Sequence, residues 1–130
     1  RKETAMAWHV YDIRLDGFDL FTGANYQLAR FGVTKDDGVQ TWEVRVKVRP
    51  SLREALPEQA AGLSDRDLAG GLGAQAIITL LEGGLEPFEH DIVLDPAHYP
   101  GRPGQPAIRQ DYEHITVRVE STPEGEVVSP

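Results

Sequence analysis

The chain has 130 residues, 40% of them hydrophobic, and carries a formal net charge of −8. This length is typical of a single domain with its own core, and the apolar content is too high for a disordered chain. The absence of cysteine excludes disulfides, thiolate metal sites and a cysteine nucleophile. No apolar run approaches the roughly 20 residues that a membrane span needs. A cytoplasmic protein of one domain, spanning residues 1–130, is therefore expected.

The charge is unevenly distributed along the chain. Residues 1–50 hold eight Lys/Arg against seven Asp/Glu, whereas residues 51–130 hold five against fourteen. An acidic chain repels phosphate backbones, so nucleic-acid binding is disfavoured, although the N-terminal part can still present a local cationic surface. Arg1–Ala5 precede the first methionine and are interpreted as residues foreign to the natural chain, or as the trimmed start of a larger protein. Ser121–Pro130 is expected to be a flexible tail.

The first fifty residues predict an antiparallel meander. Its predicted strands are Ala7–Leu15, continued through a tight Asp16-Gly17 turn into Phe18–Thr22, then Tyr26–Thr34, and then Val39–Arg49 after a short loop that ends at Gly38. The alternation over Trp42–Arg49 is without fault: apolar residues on one face, charged residues on the other. Pro50 ends this strand because it cannot donate to a ladder.

The middle of the chain predicts helix. Ser51 precedes a short helical turn over Leu52–Ala55. Ser64 suits the cap of a longer helix that stops at Gly83-Gly84, with a core-facing stripe of Leu68, Leu72, Ala76 and Leu80. Gly70, Gly71 and Gly73 each cost such a helix about 1 kcal/mol relative to alanine and are interpreted as a close-packing or kink feature. The alternative ends the helix near Gly71 and makes Gln75–Leu81 a strand.

Two further strands, Phe88–Leu94 and Ile115–Glu120, complete the prediction. The expected fold is therefore α+β, with an antiparallel sheet of about five strands and one main helix packed on one of its faces.

A long loop after Phe88–Leu94 is the first place to look for a site, because long connections in compact domains are usually functional or disordered. His90 in this strand, with Asp95 and His98 after it, supplies the ligand types that zinc or manganese needs in a chain without thiols. Tyr99 and Arg102 extend the candidate ligand site. The ordinary interpretation makes Asp95 a turn residue before Pro96. No cofactor is predicted beyond a divalent metal at this site.

Acid–base chemistry without a metal is a second candidate. It would use His98 or His114, held by Asp111 or Glu113, with a nearby tyrosine at 99 or 112. Histidines in an acidic chain often neighbour a carboxylate by chance. No nucleophile elbow, phosphate loop or dinucleotide fingerprint is present.

The charged sheet face is a third candidate. Arg45, Lys47 and Arg49 share one strand face, and Arg14, Arg30 and Arg118 belong to other strands. Together they predict a basic surface for an acidic protein partner or a single-stranded nucleic acid, although an ordinary solvated face explains the same pattern. Trp8 and Val10 add apolar surface to the first strand, which favours a homodimer.

Two functions follow from these patterns. The preferred one is a non-enzymatic protein-binding or assembly module. The alternative is a small enzyme or ligand-binding domain with a His/Asp site, metal-bound or metal-free, in residues 88–112.

Overall fold

The computed structural model of the protein describes residues 7–20, 25–86, 92–96 and 108–121. Its elements are β1 Ala7–Asp19, β2 Gln27–Lys35, β3 Gln40–Val48, α1 Leu52–Ala55, α2 Pro57–Ala60, α3 Asp65–Glu82, β4 Ile92–Leu94 and β5 His114–Ser121. The strands form one five-stranded sheet in the order β4-β3-β2-β1-β5. The predicted mixture of a five-stranded sheet and a helix is confirmed. In this part of the chain, none of the helices has the length and apolarity to cross a membrane.

The sheet is mixed, so the prediction of a purely antiparallel sheet is wrong. The β1/β2, β2/β3 and β1/β5 pairs are antiparallel, as a meander requires. In contrast, β3 and β4 are parallel, with Val46 opposite Ile92 and Val48 opposite Leu94. Helices α1, α2 and α3 lie between these two strands in the chain. A crossover of this kind produces a parallel pair, whereas a tight hairpin would produce an antiparallel one.

Strand β1 continues through the predicted Asp16-Gly17 turn, and that prediction is wrong as well. Leu15 lies opposite Phe31, but Gly17 lies opposite Arg30, so Asp16 is one extra residue in β1. The turn-like dipeptide therefore forms a β-bulge, which bends the strand without ending it.

Helix α3 confirms the helical interpretation of the middle segment, and the alternative strand over Gln75–Leu81 is wrong. The Ser64 side chain accepts a hydrogen bond from the Asp67 backbone N–H at 3.1 Å, as an N-cap does. The glycines of α3 lie at close approaches. A Cβ at Gly73 would be 2.8 Å from the Phe31 ring, and one at Gly71 would be 2.7 Å from the Arg109 carbonyl oxygen. These distances leave no room for a methyl group.

Alternation along the strands separates two faces of the sheet. One face carries the buried core residues, including Tyr11, Ile13, Ala29, Phe31, Val33, Val44, Val46 and Val48. Helix α3 contributes Leu68, Leu72 and Ile77 to the same cluster. The other face, called the open face below, carries the charged residues of β1, β2, β3 and β5 except Lys35, which pairs with Tyr11 on the core side. Some of the candidate sites lie on the core face of the sheet and others on the open face.

Candidate functional site

Most of the predicted loop site lies outside the described residues. This applies to His90, His98, Tyr99 and Arg102. Asp95 is described: it follows β4 directly and is partly buried. Within the described ranges, no group of three His, Asp or Glu side chains is placed to hold a metal ion. The metal and loop-site hypotheses therefore stay predictions.

His114 pairs with a different carboxylate from those predicted. Its Nε2 lies 3.0 Å from Oδ1 of Asp12 on the neighbouring strand β1. The Thr116 hydroxyl donates to the same oxygen at 2.6 Å, and these two contacts hold the pKa of the Asp12 carboxyl below its ordinary value. The predicted partners pair elsewhere, Asp111 with Arg109 and Glu113 with Arg66. The His114 group is thus a cross-strand contact on the open face.

Tyr112 serves to anchor the chain to the start of α3. Its side chain is buried, and its hydroxyl donates a hydrogen bond to Asp67. That hydrogen bond holds the pKa of the Asp67 carboxyl below its ordinary value, while burial raises the pKa of the Tyr112 phenol. A phenol held protonated against an ionised carboxylate is a structural tie between two segments.

The open face carries a group of cations at its β2/β3 side, called the basic patch: Arg30, Arg45, Lys47 and Arg49. Arg30 lies directly opposite Arg45 in the β2/β3 ladder. Arg49 donates to the Tyr26 hydroxyl at 2.9 Å, and its guanidinium lies 4.4 Å from the centre of that ring. Arg45 and Lys47 are exposed and form no ion pair with the described carboxylates.

Arg118 lies away from the basic patch. It belongs to β5, and strands β1 and β2 separate β5 from β3. Its guanidinium lies 4.4 Å from the centre of the Trp8 ring, and Trp8 is 50% exposed. The predicted apolar surface at Trp8 is therefore a cation–π pair on the far side of the same face.

A pocket of about 260 Å³ lies on the other side of the sheet, where β1, β2 and the end of α3 meet. Its polar lining comes from His9, Tyr11, Lys35 and Glu86. Its apolar lining comes from Leu81, Leu85 and Val119. The sheet alternation explains this grouping: His9 and Tyr11 share one face of β1, and Tyr11 pairs directly with Lys35 on β2.

Lys35 and Tyr11 form the centre of this pocket. The Lys35 side chain is only 17% exposed, and its Nζ lies 3.6 Å from Glu86 Oε2 and 5.9 Å from the centre of the Tyr11 ring. Burial raises the pKa of the Tyr11 phenol, and the nearby Lys35 ammonium opposes that effect only in part. Tyr11 therefore keeps its proton at neutral pH and can donate a hydrogen bond.

His9 is held in place by the turn between β2 and β3. Its Nδ1 lies 2.9 Å from Asp36 Oδ2, while Asp36 Oδ1 accepts the Val10 backbone N–H at 3.0 Å. These two hydrogen bonds hold the pKa of the Asp36 carboxyl below its ordinary value, with the backbone contact contributing most. A carboxylate that accepts from one imidazole nitrogen fixes the orientation of the ring. It leaves Nε2 for another partner.

Sequence reasoning did not find this pocket. It included His9 and Tyr11 in the first predicted strand without assigning a site to them, and it ended the second predicted strand at Thr34, before Lys35. Alternation along the first two predicted strands could have indicated that Tyr11 lies opposite the end of β2. The contribution of α3 could not be read from local pattern, because it depends on where the end of the helix meets the sheet.

No family model matches this chain, and no curated protein or solved structure matches it either. What the protein does must therefore be inferred from the geometry of these sites.

Proposed function

We propose that the protein is a non-enzymatic binding module that holds an acidic segment of a partner protein against the basic patch. The observation that carries this proposal is the direct opposition of Arg30 and Arg45 across the β2/β3 ladder. Like charges placed directly opposite each other in a sheet are destabilising. Within the protein, the Arg30 guanidinium lies near Asp19, at 3.5 Å, and a bound anion would relieve the remaining repulsion between the two arginines.

The surroundings of the pair support an anionic partner. Arg30 has one carboxylate at 3.5 Å, Asp19, whereas Arg45 and Lys47 have no ion-pair partner among the described residues. The Arg45 and Lys47 side chains are both exposed, and alternation along β3 places them on the same face of the strand. Carboxylates of an extended segment can therefore meet several cations at once.

An acidic protein segment fits this surface better than a single-stranded nucleic acid. Nucleic-acid binders of this kind stack bases on exposed aromatic rings. On the open face, Arg49 covers the Tyr26 ring and Arg118 covers the Trp8 ring, each at 4.4 Å. One face of each ring is thus already occupied by the protein's own cation.

Fluorescence anisotropy with a labelled ten-residue polyglutamate peptide tests the proposal. We expect binding at low salt that weakens as salt is added, since the contact is electrostatic. The double variant Arg45→Gln/Lys47→Gln should weaken binding about tenfold. The matched control is Arg66→Gln/Arg109→Gln, which removes the same charge from the helix side of the molecule and should bind like the wild type.

Three results would overturn the proposal. The first is the absence of salt-sensitive binding to the peptide. The second is an equal loss of binding in both double variants, which would make net charge alone responsible. The third is tighter binding of ten-residue oligothymidine than of polyglutamate, which would replace the protein partner by a nucleic acid. The predicted homodimer would be tested separately by sedimentation equilibrium.

A further inference from the structure

We propose that the pocket between β1, β2 and the end of α3 binds a small carboxylic acid that has an apolar tail. This site is distinct from the basic patch, because it lies on the core side of the sheet and shares none of its residues. It would make the protein a binder of a small molecule as well as of a partner.

The Lys35 ammonium is the first reason. Its side chain is mostly buried, and a buried charge is costly unless it is well paired. Its ion-pair partner among the described residues, Glu86, is 3.6 Å away. Charge-assisted hydrogen bonds from an ammonium to a carboxylate are normally about 2.7–2.9 Å long. Lys35 can therefore accept a closer anion than the protein itself provides.

The Tyr11 hydroxyl is the second reason. It lines the same pocket as Lys35, and the two residues face each other across the β1/β2 ladder. An ammonium and a protonated phenol are both donors, and a carboxylate has two acceptor oxygens. His9 adds a third polar group whose ring is held by Asp36 at 2.9 Å. The pocket thus offers convergent donors to one anionic head group.

The apolar residues that line the pocket indicate the chemistry and size of the ligand beyond its carboxylate. Leu81, Leu85 and Val119 form an apolar wall beside these polar groups. A volume of about 260 Å³ is below the roughly 300–1,000 Å³ that is usual for drug-sized ligands. A short-chain or single-ring carboxylic acid has an apolar part that can contact these three residues, and it is small enough for the pocket.

Glu86 would act as an internal competitor. Its carboxylate is near Lys35 without making a close hydrogen bond, and its side chain is partly exposed. A ligand carboxylate would take the place of Glu86 at the ammonium. Replacing Glu86 with a neutral residue should therefore strengthen binding.

Calorimetric titration with benzoate tests the proposal on the whole chain. We expect Lys35→Met to weaken benzoate binding at least about tenfold, as is usual when a hydrogen bond to a charged group is lost. Tyr11→Phe should weaken it less, and Glu86→Gln should strengthen it. Arg14→Met is the matched control, since it removes an exposed positive charge of β1 that lies outside both proposed sites, and it should bind benzoate like the wild type. Circular dichroism establishes that each variant is folded.

The ligand class is tested with benzylamine, which has the same size and the opposite charge. Stronger binding of benzylamine than of benzoate would overturn the proposal, as would benzoate binding that survives Lys35→Met. Weaker benzoate binding to Glu86→Gln would overturn the role of Glu86 as competitor. If Lys35→Met does not fold, the outcome is decided by Glu86→Gln and the comparison of the two ligands.

Discussion

The hydrogen bond from Tyr112 to Asp67 makes stability depend on pH. It holds the pKa of Asp67 below its ordinary value. The contribution of this hydrogen bond to the free energy of unfolding is therefore complete above the unfolded-state pKa of about 4. It is lost as the pH falls through the lower, folded-state pKa. We expect Asp67→Asn to lower the free energy of unfolding by about 1 kcal/mol at pH 7, and the difference from wild type to shrink below pH 4.

Urea denaturation at a series of pH values checks this. The stability difference between Tyr112→Phe and the wild type should also shrink below pH 4, because this variant removes the hydrogen-bond donor and leaves the carboxylate. Asp37→Asn is the control, since Asp37 is an exposed turn residue. A difference between Asp67→Asn and wild type that persists at pH 2 would contradict the explanation.

Gly71 is required by the close approach between α3 and the segment at residue 109. A Cβ there would lie 2.2 Å from Ile108 Cγ2 and 2.7 Å from the Arg109 carbonyl oxygen. Alanine would gain about 1 kcal/mol in helix propensity, but overpacking of this kind costs about 1–3 kcal/mol and a backbone atom cannot move aside cheaply. We expect Gly71→Ala to destabilise the protein by about 1 kcal/mol net.

Thermal or urea unfolding measures this change. The control is Glu82→Ala at an exposed position of the same helix, which should change stability by less than about 0.5 kcal/mol. Stabilisation by Gly71→Ala would show that helix propensity outweighs the close contact, and that the segment at 108–109 adjusts.

At the scale of whole elements, the turn between β2 and β3 contains two aspartates with different roles. Both have left-handed backbones, Asp36 at φ 52° and Asp37 at φ 59°. Only Asp36 uses its carboxylate, which accepts from Val10 and contacts His9. Glycine adopts this backbone without the steric cost of a side chain. We expect Asp37→Gly to be neutral or stabilising by up to about 1 kcal/mol, and Asp36→Gly to destabilise by about 1–2 kcal/mol.

The two variants control for each other, because they make the same change at adjacent positions of the same conformation. Equal effects on the urea midpoint would contradict a structural role for the Asp36 carboxylate. A large loss from Asp37→Gly would mean that the turn needs a side chain at that position for another reason.

Sequence reasoning succeeded where one element buries one face. The alternation from Trp42 to Arg49 predicted β3, and the spacing of leucines after Ser64 predicted α3, because a periodic apolar face is a local property. It failed at Asp16-Gly17, since the same dipeptide forms a turn or a bulge according to whether the neighbouring strand continues past it. It also failed on the direction of β4, which depends on how the intervening helices return the chain.

The candidate sites were less predictable than the fold. The basic residues of β3 could be assigned to one face, but Arg118 could not be separated from them without the strand order. The pocket joins residues 9, 11, 35 and 86, which are distant in sequence and have no motif in common. His114 was predicted to pair with neighbours in sequence, whereas its partner, Asp12, comes from the opposite end of the chain.

At the scale of the whole molecule, the sheet order predicts a gradient of local stability. Strands β1 and β2 each have a partner on both sides, whereas β4 is a three-residue strand at one edge. Amide hydrogens of central strands exchange with solvent only when a large part of the protein unfolds, whereas those of short edge strands exchange by local fraying. We expect the slowest hydrogen exchange in β1 and β2, and the fastest among the strands in β4.

Exchange followed by two-dimensional NMR at individual amides checks this gradient, and β5 provides the internal comparison as the longer edge strand. Protection in β4 equal to that in β2 would contradict it, and would indicate that a further part of the chain, or another molecule, covers that edge.

The pairing of β1 with β5 has a consequence for how the protein is made. Ala7 pairs with Ser121 and Ile13 with Ile115, so β1 is synthesised long before β5, its partner along one edge. While the ribosome produces the chain between them, one hydrogen-bonding edge of β1 has no native neighbour to bind. An open edge of this kind recruits strands from other molecules. Newly made chains are therefore at risk of misassociation until β5 has been synthesised, and a slower translation rate would prolong that exposure.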